Sequence, residues 1–240
     1  MVAAQPLQAG ITENTTIGPM PAPLQAGSTF DEHNLPPLHT RTGWYEIPAW
    51  AAGYWHRETQ TDKVGFRTIT HESRRDRLRG DQVDRLGRIW QAHDEPNTVT
   101  VDTGRTIDYI LDRSTEPVQI TSNLMVIHYI ASDIIVDKGS RRIVKAAQRD
   151  ETQRIQPGPG GTLLCASHLT RFDQNGGRQD TIDGSWTESL LRPFQPLDYS
   201  NGRNYFQDFC QFLHSVGQDS AIPLRAFPNG APPQQPMQQP

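Results

Sequence analysis

The middle of this chain alternates between polar and apolar residues with a period of two. Residues 54–61, 64–72 and 106–111 show the pattern clearly, and such alternation is typical of half-buried β-strands. About nine or ten segments of this kind follow one another up to Leu191, joined by tight turns. Parallel strands require crossover connections of roughly a dozen residues or more, and none is present between these segments. The sequence therefore predicts a continuous antiparallel meander.

One helix is expected near the C-terminus, at residues 202–216. Phe206, Phe209 and Leu213 fall on one face of it, which predicts that the helix packs against the sheet. A meander of this size must also protect its two edge strands, and closing into a barrel removes them. The predicted fold class is therefore all-β: an up-and-down antiparallel barrel or strongly curled meander of about 8–10 strands, with one C-terminal helix packed on it.

Three of the five tryptophans, Trp44, Trp50 and Trp55, fall within residues 43–55, together with two tyrosines. Large aromatic side chains bury extensive apolar surface. A cluster of this density is therefore expected either to plug the core or to line a ligand cavity, and the sequence leaves both interpretations open.

Gly53 and Trp55 form a Gly-x-Trp element at the start of the first long strand, and Gly43–Trp44 is a second candidate. This element, the sequential strands and the C-terminal helix resemble the lipocalin-like, or calycin, barrels over about residues 50–216. The resemblance implies that the tryptophan seals the closed end of a barrel and that Arg192 packs across it. It also implies binding of a small apolar or amphipathic molecule inside the barrel, although fold alone does not establish function.

Proline-rich segments flank the meander. The first repeats the pentapeptide PLQAG, and the last ends in APPQQPMQQP. Such segments contain too few large apolar residues to offset their ordering entropy. The predicted organisation is a disordered arm at 1–42, a β-barrel domain with its helix at 43–217, and a disordered tail at 218–240. We expect the two ends to be solvated, with docking to protein partners through their prolines as the alternative.

The composition argues against several classes of partner. A net charge of -4 and a pI near 6.0 provide no general attraction to nucleic acid,. No stretch approaches the roughly 20 apolar residues of a membrane span, and residues 1–10 lack the pattern of a signal peptide. The chain is expected to be soluble and cytoplasmic unless a leader was removed. Cys165 and Cys210 match no zinc, redox or haem motif and are expected to be buried thiols,, so no cofactor or metal is predicted.

Histidines occur in or near separate predicted strands without metal-binding spacing, namely His56, His71, His93, His128 and His168,. His128 lies in the most apolar strand, where it would either contact a ligand in the barrel or be satisfied by a neighbour in the core. No GxSxG nucleophile elbow is present. The basic run at residues 74–79 is followed by two aspartates and is predicted to be an exposed, salt-bridged loop between strands.

These observations predict a protein that binds a small hydrophobic or amphipathic molecule without catalysis. Apolar walls would provide affinity and a few polar groups orientation. The residues predicted to form the wall or floor of the cavity are Trp44, Trp50, Trp55, Trp90, Tyr109, His128 and Tyr129. Two other classes stay open: a structural or interaction protein with a filled barrel and proline-rich docking arms, and a hydrolase or isomerase with a histidine/carboxylate site inside the barrel.

Overall fold

The computed structural model of the protein describes residues 16–36, 41–95, 97–200 and 202–224. Antiparallel strands form most of it, and one α-helix follows them in this part of the chain. The elements are β1 (Arg41–Ile47), β2 (Gly53–Val64), β3 (Arg67–Arg79), β4 (Gln82–Val83), β5 (Ile89–Glu95), β6 (Asn97–Asp102), β7 (Thr106–Ile120), β8 (Met125–Asp137), β9 (Ile143–Pro157), β10 (Leu163–Asp173), β11 (Arg178–Pro193), β12 (Tyr199–Ser200), β13 (Arg203–Asn204) and α1 (Tyr205–Ser215).

The main sheet has eight strands in the order β3-β2-β11-β10-β9-β8-β7-β6. All neighbours are antiparallel, and β11, the last of the eight along the chain, pairs with β2, the first. This is the neighbour pattern of an eight-stranded up-and-down barrel, except that β3 and β6 do not pair within the described residues. The sheet is therefore a half-barrel with one open seam. The predicted all-β fold, a curled meander with one C-terminal helix, is confirmed, and the curl stops short of closure.

A smaller sheet, in the order β1-β5-β4, separates the interior of the half-barrel from α1. Alternation along β1 and β5 directs their side chains to opposite faces. Tyr45 and Ile47 face the interior, whereas Trp44 and Trp90 pack against Phe209 of the helix. The helix begins after Asn204, whose side chain accepts a hydrogen bond from the Gln207 amide at 2.9 Å and so satisfies one of the amides left free at a helix start.

One end of the half-barrel is filled by an apolar core around Trp55 and Trp186. The indole of Trp55 donates a hydrogen bond to the carbonyl of Ala51 at 2.9 Å. Gly53 has a φ of +144°, a conformation that side-chain-bearing residues rarely adopt, and a Cβ there would also lie 3.0 Å from the carbonyl oxygen of Arg192, so this position favours glycine. Arg192 does not take the position implied by the resemblance, because its guanidinium stacks 4.4 Å above the ring of Tyr54, which points away from Trp55 across β2,.

Residues 16–36 pack on the outer face of β7, β8 and β9, so the expectation of a disordered arm does not hold for this segment. Met20, Leu24 and Phe30 are buried against an apolar cluster of the sheet. The amide of Phe30 donates to the carbonyl of Arg141 at 2.7 Å. The average composition of the arm concealed this, because a few well-spaced apolar residues are enough to cover an apolar stripe. Residues 41 and 42 of the predicted arm begin β1, and residues 1–15 and 37–40 lie outside the described residues. The predicted tail is also ordered at its start, because Ala221 is buried against Trp44, Trp90 and Phe209; residues 225–240 lie outside the described residues.

Candidate ligand-binding cavity

The half-barrel and the small sheet enclose a cavity of about 410 Å³. Where it meets the core around Trp55, its wall is apolar and consists of Ile47, Met125 and Ile127. Tyr45 and Tyr129 line the cavity and pack against the same core. The cavity therefore has an apolar end next to the closed part of the fold, with two phenol rings beside it.

The basic run at residues 74–79 is not a loop: it is the second half of the edge strand β3. Alternation places Arg75, Arg77 and Arg79 on one face of the strand, and all three line the cavity,. Their exposure falls from the first to the last, since Arg75 is exposed, Arg77 half-buried and Arg79 buried. The prediction of an exposed loop was wrong because a run of charges conceals the period of two when both faces of a strand are polar.

The innermost of these arginines is neutralised inside the protein. The Arg79 guanidinium forms two hydrogen bonds with the Glu188 carboxylate, and both side chains are about 95% buried, with 4% and 5% exposed. The Trp186 indole donates a third hydrogen bond to Oε1 of Glu188 at 2.9 Å. Burial by itself would raise the pKa of the Glu188 carboxyl, but the hydrogen bonds and charge of Arg79 outweigh it and lower the pKa,.

The next two arginines in the interior have neutral partners. Arg77 reaches across the cavity and donates to Oε1 of Gln153 on β9 at 3.0 Å. Arg57, directly opposite Arg75 in the strand register, donates to Oε1 of Gln60 at 2.7 Å and stacks 4.9 Å from the ring of Trp186. This wall of the cavity is therefore strongly positive.

The opposite wall, on β7, β8 and β9, carries mixed charge. Arg149 lies 3.6 Å from Asp133, and Glu151 accepts a hydrogen bond from the Gln153 amide at 2.7 Å. Burial raises the pKa of both Asp112 and Asp133, because desolvation disfavours the charged carboxylate. Asp112 and Glu151 on this wall also line the cavity that the arginines of β3 line from the other side.

Of the seven residues predicted to form the cavity, Tyr129 lines it and Trp55 belongs to the core at its apolar end. Trp50 lies on the outer side of that core, where its indole donates to the carbonyl of Ser122 at 2.6 Å. Trp44 and Trp90 pack against α1 instead. For Trp44, Trp55 and Trp90 these placements follow from β-strand alternation, which directs neighbouring side chains to opposite faces, whereas Trp50 lies in a 3-10 turn between β1 and β2.

Tyr109 and His128 were expected in the interior and lie on the outer face of the half-barrel. Tyr109 is buried beneath the N-terminal segment (residues 16–36), with its ring centroid 4.4 Å from that of Phe30. Because Ile127 and Tyr129 face the cavity, His128 between them faces outward, where its Nε2 lies 2.7 Å from Oδ1 of Asp150. Apolar residues on both faces of β8 concealed which face is the inner one.

The structure does not bring the histidines together. Besides His128, three of them lie beside different carboxylates: His56 Nδ1 is 2.6 Å from Asp76, His168 Nδ1 is 2.7 Å from Asp183, and His71 Nδ1 is 3.8 Å from Asp62. His93 instead lines the cavity, with its ring centroid 5.6 Å from that of Tyr45. Within the described residues, no group of three or more histidine, cysteine or acidic side chains is arranged to hold a metal ion. The cysteines Cys165 and Cys210 are both free and buried, as expected.

Sequence reasoning missed the residues that form most of the cavity, including Tyr45, Arg75, Arg77, Met125 and Ile127. The available signal was the arginine at every second position of residues 75–79, since like charges on one face of a strand repel one another unless something compensates them.

Comparison of the chain with protein-family models, with curated proteins and with solved structures finds no match. None of the helices in the described ranges has the length and hydrophobicity needed to cross a membrane. The likeness to lipocalin-like barrels therefore consists of the curled antiparallel sheet with its one helix.

Proposed function

We propose that this protein binds a small amphipathic molecule in the cavity of the half-barrel, without catalysing a reaction. The observation that carries the proposal is the cavity of about 410 Å³, with apolar side chains at its inner end and arginines along one wall. Ligand pockets typically have volumes of roughly 300–1,000 Å³ and combine apolar walls with a few polar groups.

The polar lining weakens, without preventing, the binding of an entirely hydrophobic molecule. Such a molecule would displace water from Arg77 and Gln153 without offering them any hydrogen bond. Removing water from a charged or polar group that gains no partner is costly. An amphipathic molecule avoids this cost, because its apolar part can lie against Met125 and Ile127 while its polar part remains near the arginines.

The proposal is tested with N-phenyl-1-naphthylamine, a neutral apolar dye whose fluorescence rises on transfer from water to an apolar site. We expect saturable binding of one dye molecule per chain. Ala131 lines the cavity and is buried, so Ala131→Leu fills part of the space and should weaken dye binding about tenfold or more. Ala26→Leu is the matched control, since Ala26 is exposed outside the cavity.

Two results would contradict the proposal. One is that neither the dye nor an amphiphile such as decanoate, the latter followed by titration calorimetry, binds the full chain saturably. The other is equal weakening by Ala131→Leu and Ala26→Leu, which would mean that the dye binds elsewhere. Circular dichroism of both variants verifies that each retains the β-sheet fold.

A further inference from the structure

We infer that the cavity is selective for an amphiphile with an anionic headgroup, which Arg75 and Arg77 bind at the open side of the half-barrel. This inference rests on the proposed function and adds the chemical class of the ligand. Three arginines, Arg57, Arg75 and Arg77, lie close together in the interior on two neighbouring strands.

The register places these arginines side by side. Arg57 on β2 is directly opposite Arg75 on β3, and Arg77 is the next residue of β3 on the same face. Side chains directly opposite each other on neighbouring strands have Cβ atoms only about 5 Å apart, and like charges there destabilise the sheet. In agreement, the charge of Arg77 is the main cause that lowers the pKa of Arg75, followed by burial.

The protein itself compensates this charge incompletely. Arg79 has the Glu188 carboxylate, whereas Arg77 has the neutral Gln153 and Arg57 has Gln60 and the carbonyl of Ser73. Arg75 has no hydrogen bond or ion pair with any of the described residues. Glu151 acts electrostatically on all three of these arginines, Glu188 on Arg57 and Arg77, and Asp112 on Arg75 and Arg77. None of these carboxylates forms an ion pair with them, so among the described residues the three guanidinium groups keep donors that a ligand can use.

Two phenol groups extend the same site. The hydroxyls of Tyr45 and Tyr129 line the cavity, and neither has a hydrogen-bond partner among the described side chains and backbone groups. Burial raises the pKa of both tyrosines, so each hydroxyl keeps its proton and can donate a hydrogen bond at neutral pH. Guanidinium groups and phenol donors together suit the oxygens of a carboxylate or sulfate.

The position of these groups also sets the orientation of the ligand. Arg75 is exposed and Arg77 half-buried, whereas Met125 and Ile127 belong to the buried core around Trp55. Arg77 lies where the two meet, because its partner Gln153 is opposite Ile127 in the strand register. An anionic headgroup therefore lies at the open side, where it keeps part of its hydration, and the apolar chain extends toward the core around Trp55. The reverse orientation would bury the headgroup among apolar side chains.

The experiment compares four amphiphiles with the same ten-carbon chain as competitors of the dye, each below its micelle concentration: decanoate, decyl sulfate, decanol and decylammonium. We expect the two anions to displace the dye at concentrations about ten- to hundredfold lower than decanol does, as charge-assisted hydrogen bonds imply. Decylammonium should be the weakest competitor. The first two compounds distinguish a carboxylate site from a more general anion site.

Arg75→Gln and Arg77→Gln should each reduce this preference for anions about tenfold, measured as the ratio of the decanol to the decanoate concentration that displaces half of the dye. Arg74→Gln is the matched control, because Arg74 precedes Arg75 on the same strand but points away from the cavity, with 66% of its side chain exposed. Retained dye binding shows that each variant is folded.

Failure of the inference can be distinguished from failure of the proposed function. If decanol or decylammonium competes as well as decanoate, or if Arg74→Gln reduces anion binding as much as Arg77→Gln, the anionic headgroup is excluded while the cavity remains a binding site. If neither the dye nor any amphiphile binds, the proposed function itself is excluded, and the inference with it.

Discussion

At the scale of single residues, the contact between Arg79 and Glu188 shows how this protein keeps charge inside a β-fold. The two side chains are almost fully buried, and the Trp186 indole adds a hydrogen bond to the carboxylate. A buried ion pair gains little net stability over apolar residues of the same size, but the loss of one partner leaves an uncompensated charge in the core. Mutation of either residue should therefore be far more damaging than mutation of a surface pair.

We expect Glu188→Gln to lower the free energy of unfolding by about 3 kcal/mol or more, because Arg79 then remains charged and buried without a counterion. Urea unfolding measures this change. The matched control is Glu72→Gln, since Glu72 lies 3.5 Å from Arg74 with both side chains largely exposed, and it should change the free energy by at most about 1 kcal/mol. Similar losses in the two variants would contradict the role assigned to burial.

The same contact predicts a dependence on pH. Because the pKa of Glu188 is lowered in the folded protein, the folded state binds fewer protons at this group than the unfolded state does. The stabilising effect of the Glu188 carboxylate is therefore complete above about pH 4.3, the pKa of a glutamate in the unfolded chain. This effect is lost as the pH falls through the lower pKa of Glu188 in the folded protein. The difference in unfolding free energy between wild type and Glu188→Gln should shrink as the pH falls below about 4.3; a constant difference from pH 7 to pH 3 would refute this.

Cys165 is expected to be chemically inert in the folded protein. Burial, followed by the charge of Glu188, raises the pKa of its thiol to about 12, and only 2% of the residue is exposed. The thiolate is the reactive form. In a Cys210→Ala variant at pH 8, a disulfide reagent that colours on reaction should label almost no thiol in the native state and one thiol per chain in denaturant. Rapid labelling of the native variant would show that Cys165 is accessible.

At the scale of secondary-structure elements, alternation along a strand directs successive side chains to opposite faces and so into different layers of the fold. In β1, Tyr45 contributes to the cavity and Trp44 to the contact with α1. The small sheet can therefore support a ligand cavity on one face and a helix on the other. The stability of this sheet should depend strongly on the aromatic contact with the helix, in which Phe209 is central.

Phe209→Ala should lower the free energy of unfolding by about 3–5 kcal/mol, as is typical for removal of a large buried aromatic ring. The ring centroid of Phe209 lies 4.8 Å from that of Trp44 and 5.8 Å from that of Trp90. Phe66→Ala makes the same substitution at a fully exposed position in the turn after β2 and should change the free energy by less than about 0.5 kcal/mol. Equal effects in urea unfolding would show that the helix contributes little to the fold.

At the scale of the whole molecule, the half-barrel is covered unequally on its two faces. The inner face is open at the seam between β3 and β6, where the proposed ligand site lies, whereas residues 16–36 cover part of the outer face. An uncovered apolar stripe on the outer face would favour association with other molecules. The N-terminal segment thus has a structural role that is independent of ligand binding.

Leu24→Asp places a charge in the buried contact between this segment and the sheet. The charge cannot be buried there without a partner, so the segment should detach, and the protease cleavage rate within residues 16–36 should rise about tenfold or more. Ala26→Asp introduces the same charge at an exposed position two residues further along and should leave the rate unchanged. If the rate for Leu24→Asp equals that of wild type, the packing described for this segment is incorrect.

Local periodicity was enough to determine the strand content and the helix, because a period of two and a period of 3.6 are properties of neighbouring residues. The short connections between the segments determined that neighbouring strands are antiparallel. Trp55 of the Gly-x-Trp element lies in the apolar core at one end of the half-barrel, and Gly53 has a φ of +144°, which favours glycine,. The cysteines could be assigned as free buried thiols on spacing alone.

The tertiary structure decided which face of each strand is the inner one and which charges meet inside. A strand with apolar residues on both faces, such as β8, fits two orientations equally well by pattern, and the outer position of His128 follows only from what covers each face. The ion pair of Arg79 with Glu188 joins residues separated by 109 positions, and the positive wall of the cavity arises only when β2 and β3 lie side by side. Burial and charge compensation depend on neighbours that are distant in sequence, and only the folded chain brings those neighbours together.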